Sequence, residues 1–347
     1  MAKLNDSIEI GNVYVKNRFA LPPMVSNKST LKGEVTNYLL DHYERRAAGG
    51  TGLIIVEASA IAWEHRIGRR NIGIHDDAMI PGLKQLADVI KKHGAAAFIQ
   101  INHAGAKSGV ATRFVGPSNV PILKGKIPEM LTHDEMEQIT HWFVEAARRA
   151  KEAGFDGVEI HGAHYYLLST FLSSSTNKRT DQYGGGIEEK ARFLVEIIQE
   201  MRKALGDYAI IVRINGIENV EDGITMEEGV EIAQILERAG VDAIHTSCVV
   251  DPAYNPDIKA IFGEGDAPKE LDGFPFDCCL PSSSAMKKKV KIPVIGVGMV
   301  RDEALARRAV EEGHCDIIAV GRGMLADSEF AFKILNGRGN TIKPWRH

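Results

Sequence analysis

The sequence predicts a (β/α)8 barrel, an α/β TIM-barrel fold with an N-terminal β-hairpin and a long loop after the sixth strand. Short apolar runs alternate eight times with amphipathic stretches of 3.6-residue period. Several of those stretches end in glycine just before the next run, at Gly154, Gly240 and Gly313, where a helix commonly needs a left-handed residue. The 347 residues suit one barrel, and no linker or low-complexity segment divides them, so residues 1–347 read as a single domain. A doubly wound sheet is the alternative, but no G-x-G-x-x-G follows an early strand.

The hairpin is expected over Ile8 to Val15, turning near Gly11 and Asn12. Barrel strands are expected from Phe19 to Pro22, Gly52 to Ala58, Ala96 to Ile101, Gly157 to His161, Ala209 to Ile214, Ala243 to His245, Pro293 to Gly296 and Ile317 to Gly321. Helical periodicity marks Asp134 to Ala153, Ile187 to Leu205, Thr225 to Ala239, Asp302 to Glu312 and Asp327 to Leu335. The stretch from Ser247 to Pro281 carries four prolines and several glycines. It reads as a wall over a site or as a surface excursion.

Composition narrows the function classes. A net charge of -4 without a long basic run gives no footprint for nucleic acid, and Lys287-Lys288-Lys289 is read as a solvated helix end. No apolar stretch approaches the ~18 residues of a membrane span, and the N-terminus is polar; the expected location is the cytoplasm. Cys248, Cys278, Cys279 and Cys315 are too few and too irregular for a disulfide framework or an iron–sulfur set, and reduced thiols are expected.

In a barrel the site lies at the C-terminal ends of the strands, and side chains alternate inward and outward. That alternation turns Glu57, Gln100, Asn102, Glu159, His161, Arg213 and His245 inward. Buried polar groups in such numbers must satisfy one another or a ligand. An internal salt bridge, Arg213 with Glu57 or Glu159, accounts for the glutamates. Gln100, His161, His164 and Arg213 stand at the rim, where a ligand would lie.

The fourth strand runs into His161-Gly162-Ala163-His164-Tyr165-Tyr166. Two histidines and a tyrosine at one spot offer hydrogen-bond donors and a proton source, the equipment for reducing a polarised double bond. A structural pair or a metal site is the other reading of two such histidines; no carboxylate or cysteine lies nearby in sequence to complete a zinc set, and no metal is expected. Beyond strands seven and eight, Gly296, Gly298, Gly321, Arg322 and Gly323 describe a phosphate site of the barrel type, with plain turn glycines as the alternative. Phosphate there, with amide and guanidinium groups over the mouth, suits flavin mononucleotide.

Over nearly its whole length the chain resembles the old yellow enzyme family of flavin-dependent ene-reductases. The likeness is carried in order by Lys16-Asn17-Arg18-Phe19, Pro23-Met24, Val56-Glu57-Ala58-Ser59, Gln100-Ile101-Asn102-His103-Ala104-Gly105, the histidine pair, and Asn177-Lys178-Arg179-Thr180-Asp181-Gln182-Tyr183-Gly184-Gly185. Val212-Arg213-Ile214, Gly296-Val297-Gly298 and Gly321-Arg322 follow. The resemblance implies FMN contacts from Pro23, Met24, Ala58, Gln100 and Arg213, with phosphate held by Gly298, Gly321 and Arg322. It implies that His161 and His164 bind a substrate carbonyl oxygen, that Tyr166 protonates the α-carbon, and that NADPH or NADH is the reductant. A terminal arginine that reaches a neighbour's site in relatives matches Arg346, with a homodimer or homotetramer implied. Asp181 is read as an Asx turn that braces the loop, and Arg179 as architecture.

Departures from the family pattern fall at Val25, Asn27, Ala106, Tyr165 and Ser174. Tyr165 is expected to narrow the pocket or to compete with Tyr166 as proton donor. The activity implied is reduction of the activated C=C bond of α,β-unsaturated carbonyl compounds, with two half-reactions at one site. Alternatives are the barrel of a dienoyl-CoA-reductase-like enzyme, disfavoured because no cysteine set or further domain follows, a dihydroorotate dehydrogenase-like enzyme, and a flavin-binding sensor without turnover.

Overall fold

A computed structural model describes residues 2–122, 126–249, 270–271, 274–275 and 279–345. Ile8–Ile10 pairs antiparallel with Val13–Val15 around Gly11, whose φ of 58° is left-handed. Eight parallel strands then close into a barrel. In chain order they are Phe19–Leu21, Leu53–Ala60, Ala96–Asn102, Gly157–Gly162, Ala209–Glu218, Ala243–Val249, Val294–Val297 and Ile317–Ala319.

The alternation expected from sequence holds. Leu53, Ile55, Phe98, Ile211, Ile295 and Ile317 fill the lower barrel, with Ile10 and Val15 of the hairpin in the same cluster. Ile54, Val56, Ile99, Val158, Val212 and Ile244, one residue out of phase, belong to the outer core beneath the helices. Complete burial of each such side chain is worth about 1.5–3 kcal/mol. Gly157 is required by this packing, because a Cβ there would lie 2.2 Å from the Phe98 ring.

Helix starts are set by local chemistry. Thr132 with Glu135, and Thr225 with Glu228, form reciprocal capping boxes at the heads of His133–Glu152 and Met226–Arg238. The last helix begins later than expected, at Phe330 and not Asp327. Asp327 is buried, takes Lys333 Nζ at 2.6 Å and accepts from the backbone N–H of Glu329, so its side chain shapes the turn before the helix. Strands five and six also run further than expected and pair as far as Glu218 and Val249. Among the described residues no helix is long and apolar enough to cross a membrane.

Candidate active site

The upper, inward-facing layer is polar and in register. Gln100 stands beside Glu159, and His161 beside Arg213, which stands in turn beside His245. Gln100 Nε2 donates to Glu159 Oε1 at 2.7 Å, and the other carboxylate oxygen faces His245 Nδ1 at 2.5 Å. Burial pushes the His245 pKa down, against the pull of Glu159. A neutral His245 donating through Nδ1 therefore suits this contact.

The expected salt bridge is corrected here. Among the described residues Arg213 pairs within 4 Å of neither Glu57 nor Glu159; its Nη2 donates to Ser247 Oγ at 3.4 Å and its buried Nε has no partner. Glu57 instead accepts from the Ser26 backbone N–H at 3.0 Å and from the Tyr43 hydroxyl at 3.4 Å. Desolvation raises its pKa to about 7. Strand alternation places both carboxylates correctly but says nothing of a Tyr43 that reaches in from the first helix, Asn37–Ala48.

His161 and His164 meet where the fourth strand ends. Their rings are 5.1 Å apart at 83°, with His161 Nε2 3.3 Å from His164 Nδ1. The backbone makes a sharp corner there, with φ of 61° at His164 and 57° at Tyr165. Three contacts hold that strained corner: the His164 N–H donates to Asn215 Oδ1 at 3.2 Å, Lys107 Nζ donates to the His164 carbonyl at 3.0 Å, and the Tyr165 N–H donates to Ser169 Oγ at 3.2 Å. On the far side His164 Nε2 lies 2.6 Å from Ser247 Oγ. Desolvation, with the charge of Arg213 nearby, holds both histidines well below their ordinary pKa. They are neutral at physiological pH, each with one N–H to offer.

Tyr166 lies over this pair, its ring 4.8 Å from that of His161, with Lys107 Nζ 5.2 Å from its centroid. Burial raises its pKa above that of an ordinary phenol, so the hydroxyl stays protonated at neutral pH. Tyr165 does not compete for that place. It is buried in the apolar cluster that also holds Ala106, Ile122 and Val249. The large residue at 165 and the small one at 106, two departures from the family pattern, thus share one cluster.

The Asp181 turn behaves as expected: Oδ1 accepts from the Tyr183 N–H at 3.1 Å, and its carbonyl from the Gly184 N–H at 3.1 Å. Arg179 joins Asp181 to the carbonyls of Leu131 and Pro117, which is an architectural role.

An FMN fits this mouth on two grounds. The unpartnered Arg213 Nε is a buried donor that a ring carbonyl or anionic ring edge would satisfy. Gln100, tied to Glu159 through its N–H₂, has its carbonyl left to accept. Met24 and Gly321 come together, since a Cβ on Gly321 would lie 3.1 Å from Met24 Sδ. Ala58 is buried at the second strand's end, and Pro23 and Gly298 are partly exposed. Arg322 is exposed on the helix Arg322–Ala326. Arg346 lies outside the described residues, as does most of the connection after the sixth strand.

Ser247, Asn215 and Lys107 are site residues that the sequence reading did not single out. Ser247 and Asn215 continue the inward parity of His245 and Arg213, so longer strands would have revealed them. Lys107 sits in a short 3-10 turn with no periodicity to mark it.

Comparison with known proteins agrees with this geometry. Residues 3–341 match the model of the NADH:flavin oxidoreductase / NADH oxidase family. An NADPH dehydrogenase of Geobacillus sp. (strain WCH70) is 35% identical over 335 residues, covering 96% of this chain and 94% of the relative. An NADH oxidase of Thermoanaerobacter brockii is 40% identical over 343 residues, 96% of this chain but 51% of the relative. Among solved structures, a 2-naphthoyl-CoA reductase complex superposes with a TM-score of 0.87 at 30% identity, covering 99% of this chain and 53% of that one. The chain thus spans about half the length of two of these relatives and nearly all of the third. With the barrel, the polar mouth and a match over almost every residue in agreement, the chain belongs to the NADH:flavin oxidoreductase / NADH oxidase family of old yellow enzyme type, whose cofactor is FMN and whose reductants are NADH and NADPH.

Proposed function

We propose that the chain reduces the activated C=C bond of α,β-unsaturated carbonyl compounds in two alternating half-reactions at one site. NADPH or NADH serves the first half-reaction, and the alkene the second. Bound FMN would supply the hydride-transfer chemistry that links the two half-reactions. The observation that carries the reading is the convergence of two neutral imidazoles and a protonated phenol beside Arg213 and Gln100.

The residues divide the work. Gln100 and Arg213, with Pro23, Met24 and Ala58, would hold the ring, and Gly298, Gly321 and Arg322 the phosphate. A positive guanidinium beside the ring edge stabilises negative charge there. A substrate carbonyl oxygen arriving at His161 and His164 competes for the N–H that now lies between the rings, so binding replaces the histidine–histidine contact. Donors aimed at an oxygen that gains charge are each worth about 3 kcal/mol. Tyr166 keeps its proton until the α-carbon needs it.

Replacing Tyr166 by Phe tests this division. Reduction of the flavin by NADPH should be unchanged, while reoxidation by 2-cyclohexenone slows by about 10²-fold or more. Unaltered enone reduction would remove Tyr166 from the mechanism, and a wild-type protein that reduces no alkene would favour a sensor. A second reading, the barrel portion of an enzyme acting on CoA thioesters, is favoured by the likeness to the 2-naphthoyl-CoA reductase complex. Turnover of a dienoyl-CoA thioester at a far lower KM than 2-cyclohexenone would select it.

We extend the proposal to a homodimer or homotetramer in which Arg346 reaches a neighbour's site. Tyr38, Phe332 and Trp345 are exposed on the first helix, the last helix and the tail beyond it, which suits a face between copies. Light scattering and a chain truncated after Pro344 test it: a monomer, or unchanged substrate affinity on truncation, contradicts it.

A further inference from the structure

Cys248 and Cys279 bring their sulfurs to 2.6 Å, not far beyond the covalent S–S length of about 2.05 Å. The sequence gives no hint of this, since the two are separated by the whole connection after the sixth strand. The contact has a structural cause. Cys248 and Thr246 are alternate residues of the sixth strand, and Cys279 and Ser283 are one turn apart on the helix Cys279–Lys287. Alternate strand residues repeat at about 6.6 Å and i, i+4 helix residues at about 6 Å, so two matched rungs can form between such elements.

The first rung is made. Thr246 Oγ1 lies 2.5 Å from Ser283 Oγ, and Ser283 Oγ donates back to the Cys279 carbonyl at 2.8 Å. The second rung is the sulfur pair. Strand pairing supports its placement, because the register between the fifth and sixth strands shifts between Ser247 and Cys248. Ser247 meanwhile holds His164 Nε2, so the pair adjoins the mouth of the site. The Arg213 guanidinium interacts electrostatically with both sulfurs, and a nearby cation favours the thiolate, the form that reacts.

We propose that Cys248 and Cys279 are a redox-sensitive modification site that closes to a disulfide under a hydroperoxide oxidant. One thiolate attacks a peroxide oxygen: the S–O bond forms, the O–O bond breaks, and the departing hydroxide takes a proton to leave as water. The second thiolate then attacks the sulfenic sulfur: the S–S bond forms, the S–O bond breaks, and a second water leaves. Two thiols and one hydrogen peroxide become one disulfide and two waters. The cross-link ties the end of the sixth strand to the start of the helix Cys279–Lys287. Cys315 is an internal control. It is buried and its pKa is pushed up to about 12 by desolvation, so it is expected to stay a thiol.

The test uses the full flavin-loaded protein. Hydrogen peroxide is added in slight excess, remaining thiols are alkylated under denaturing conditions, and the unreduced digest is read by mass spectrometry. A peptide pair joined through Cys248 and Cys279, two hydrogens lighter than the sum and released by dithiothreitol, is expected. Cys279→Ser should abolish the cross-link while Cys278→Ser keeps it, and an unchanged flavin spectrum in each variant shows that it is folded. Linkage of Cys248 to Cys278, over-oxidation of Cys248 without any cross-link, or no change in the thiol count would each overturn the assignment.

Discussion

Gln100 Nε2 donates to Glu159 Oε1 across 2.7 Å, and this contact fixes which end of the amide is left to face the barrel mouth. A carboxylate only accepts, so Gln100 must turn its N–H₂ inward and offer its carbonyl outward.

Glu159→Gln tests that logic with an isostere. A glutamine at 159 can accept from His245 through its oxygen and donate to Gln100, which reverses the Gln100 amide. FMN affinity of the apoprotein should fall by about tenfold, or 1.4 kcal/mol, the scale of one misdirected hydrogen bond. Flavin fluorescence titration reads it, and unchanged affinity with a folded variant contradicts the role of Glu159.

Replacing His161 or His164 by Ala should lower the rate of enone reduction by about 10²–10³-fold each. FMN content should stay intact, because neither imidazole is assigned to the ring. Stopped-flow reoxidation with 2-cyclohexenone measures the rate, and the visible spectrum the flavin content.

The raised pKa of Tyr166 also makes a pH statement. Enone reduction should not fall through loss of its proton between pH 7 and about 9, since the folded phenol titrates above the ordinary value near 10. A pH–rate profile of the oxidative half-reaction that declines in that range, and no longer does so in Tyr166→Phe, would contradict the assignment.

Glu57 ties stability to pH. Its folded pKa of about 7 exceeds the reference 4.5, so the folded state binds the proton more tightly than the unfolded chain. Its contribution is fully present below the unfolded value and is lost as pH rises through about 7, on the order of 3 kcal/mol in all. Glu57→Gln should flatten this part of the stability profile between pH 5 and 8. Denaturant unfolding measures it, and an unaltered slope in the variant contradicts it.

Gly184→Ala should destabilise the fold by about 2–4 kcal/mol. A Cβ there would lie 2.1 Å from the Arg179 carbonyl oxygen, a backbone atom held by the Asn177 and Asp181 network. Thermal unfolding reads the loss, and a melting temperature equal to wild type contradicts it.

Much of this architecture was legible in the residues because a barrel strand has only two faces. Ile54, Val56, Ile99, Val158, Val212 and Ile244 in one phase, and Glu57, Gln100, Glu159, Arg213 and His245 above Ile55, Phe98 and Ile211 in the other, announce both the core and the mouth. What alternation cannot supply is the partner. Arg213 met Ser247 rather than a glutamate, because strand order and register decide which inward groups touch. The sixth strand was expected to stop at His245, since Thr246, Ser247 and Cys248 interrupt its apolar run, and the shortened strand concealed both Ser247 and the sulfur pair. Tyr165 was ambiguous for a similar reason: only the left-handed corner at His164 and Tyr165 decides which tyrosine faces the histidines.

The most direct test of the central claim is an anaerobic visible titration of the purified protein, first with NADPH and then with 2-cyclohexenone. An oxidised-flavin spectrum that bleaches with NADPH and returns with the enone is the expected result, and it reports cofactor, donor and acceptor in one experiment. A flavin that bleaches but does not recover would contradict the proposed acceptor. A protein that stays colourless when supplied with FMN would contradict the reading of the barrel mouth itself.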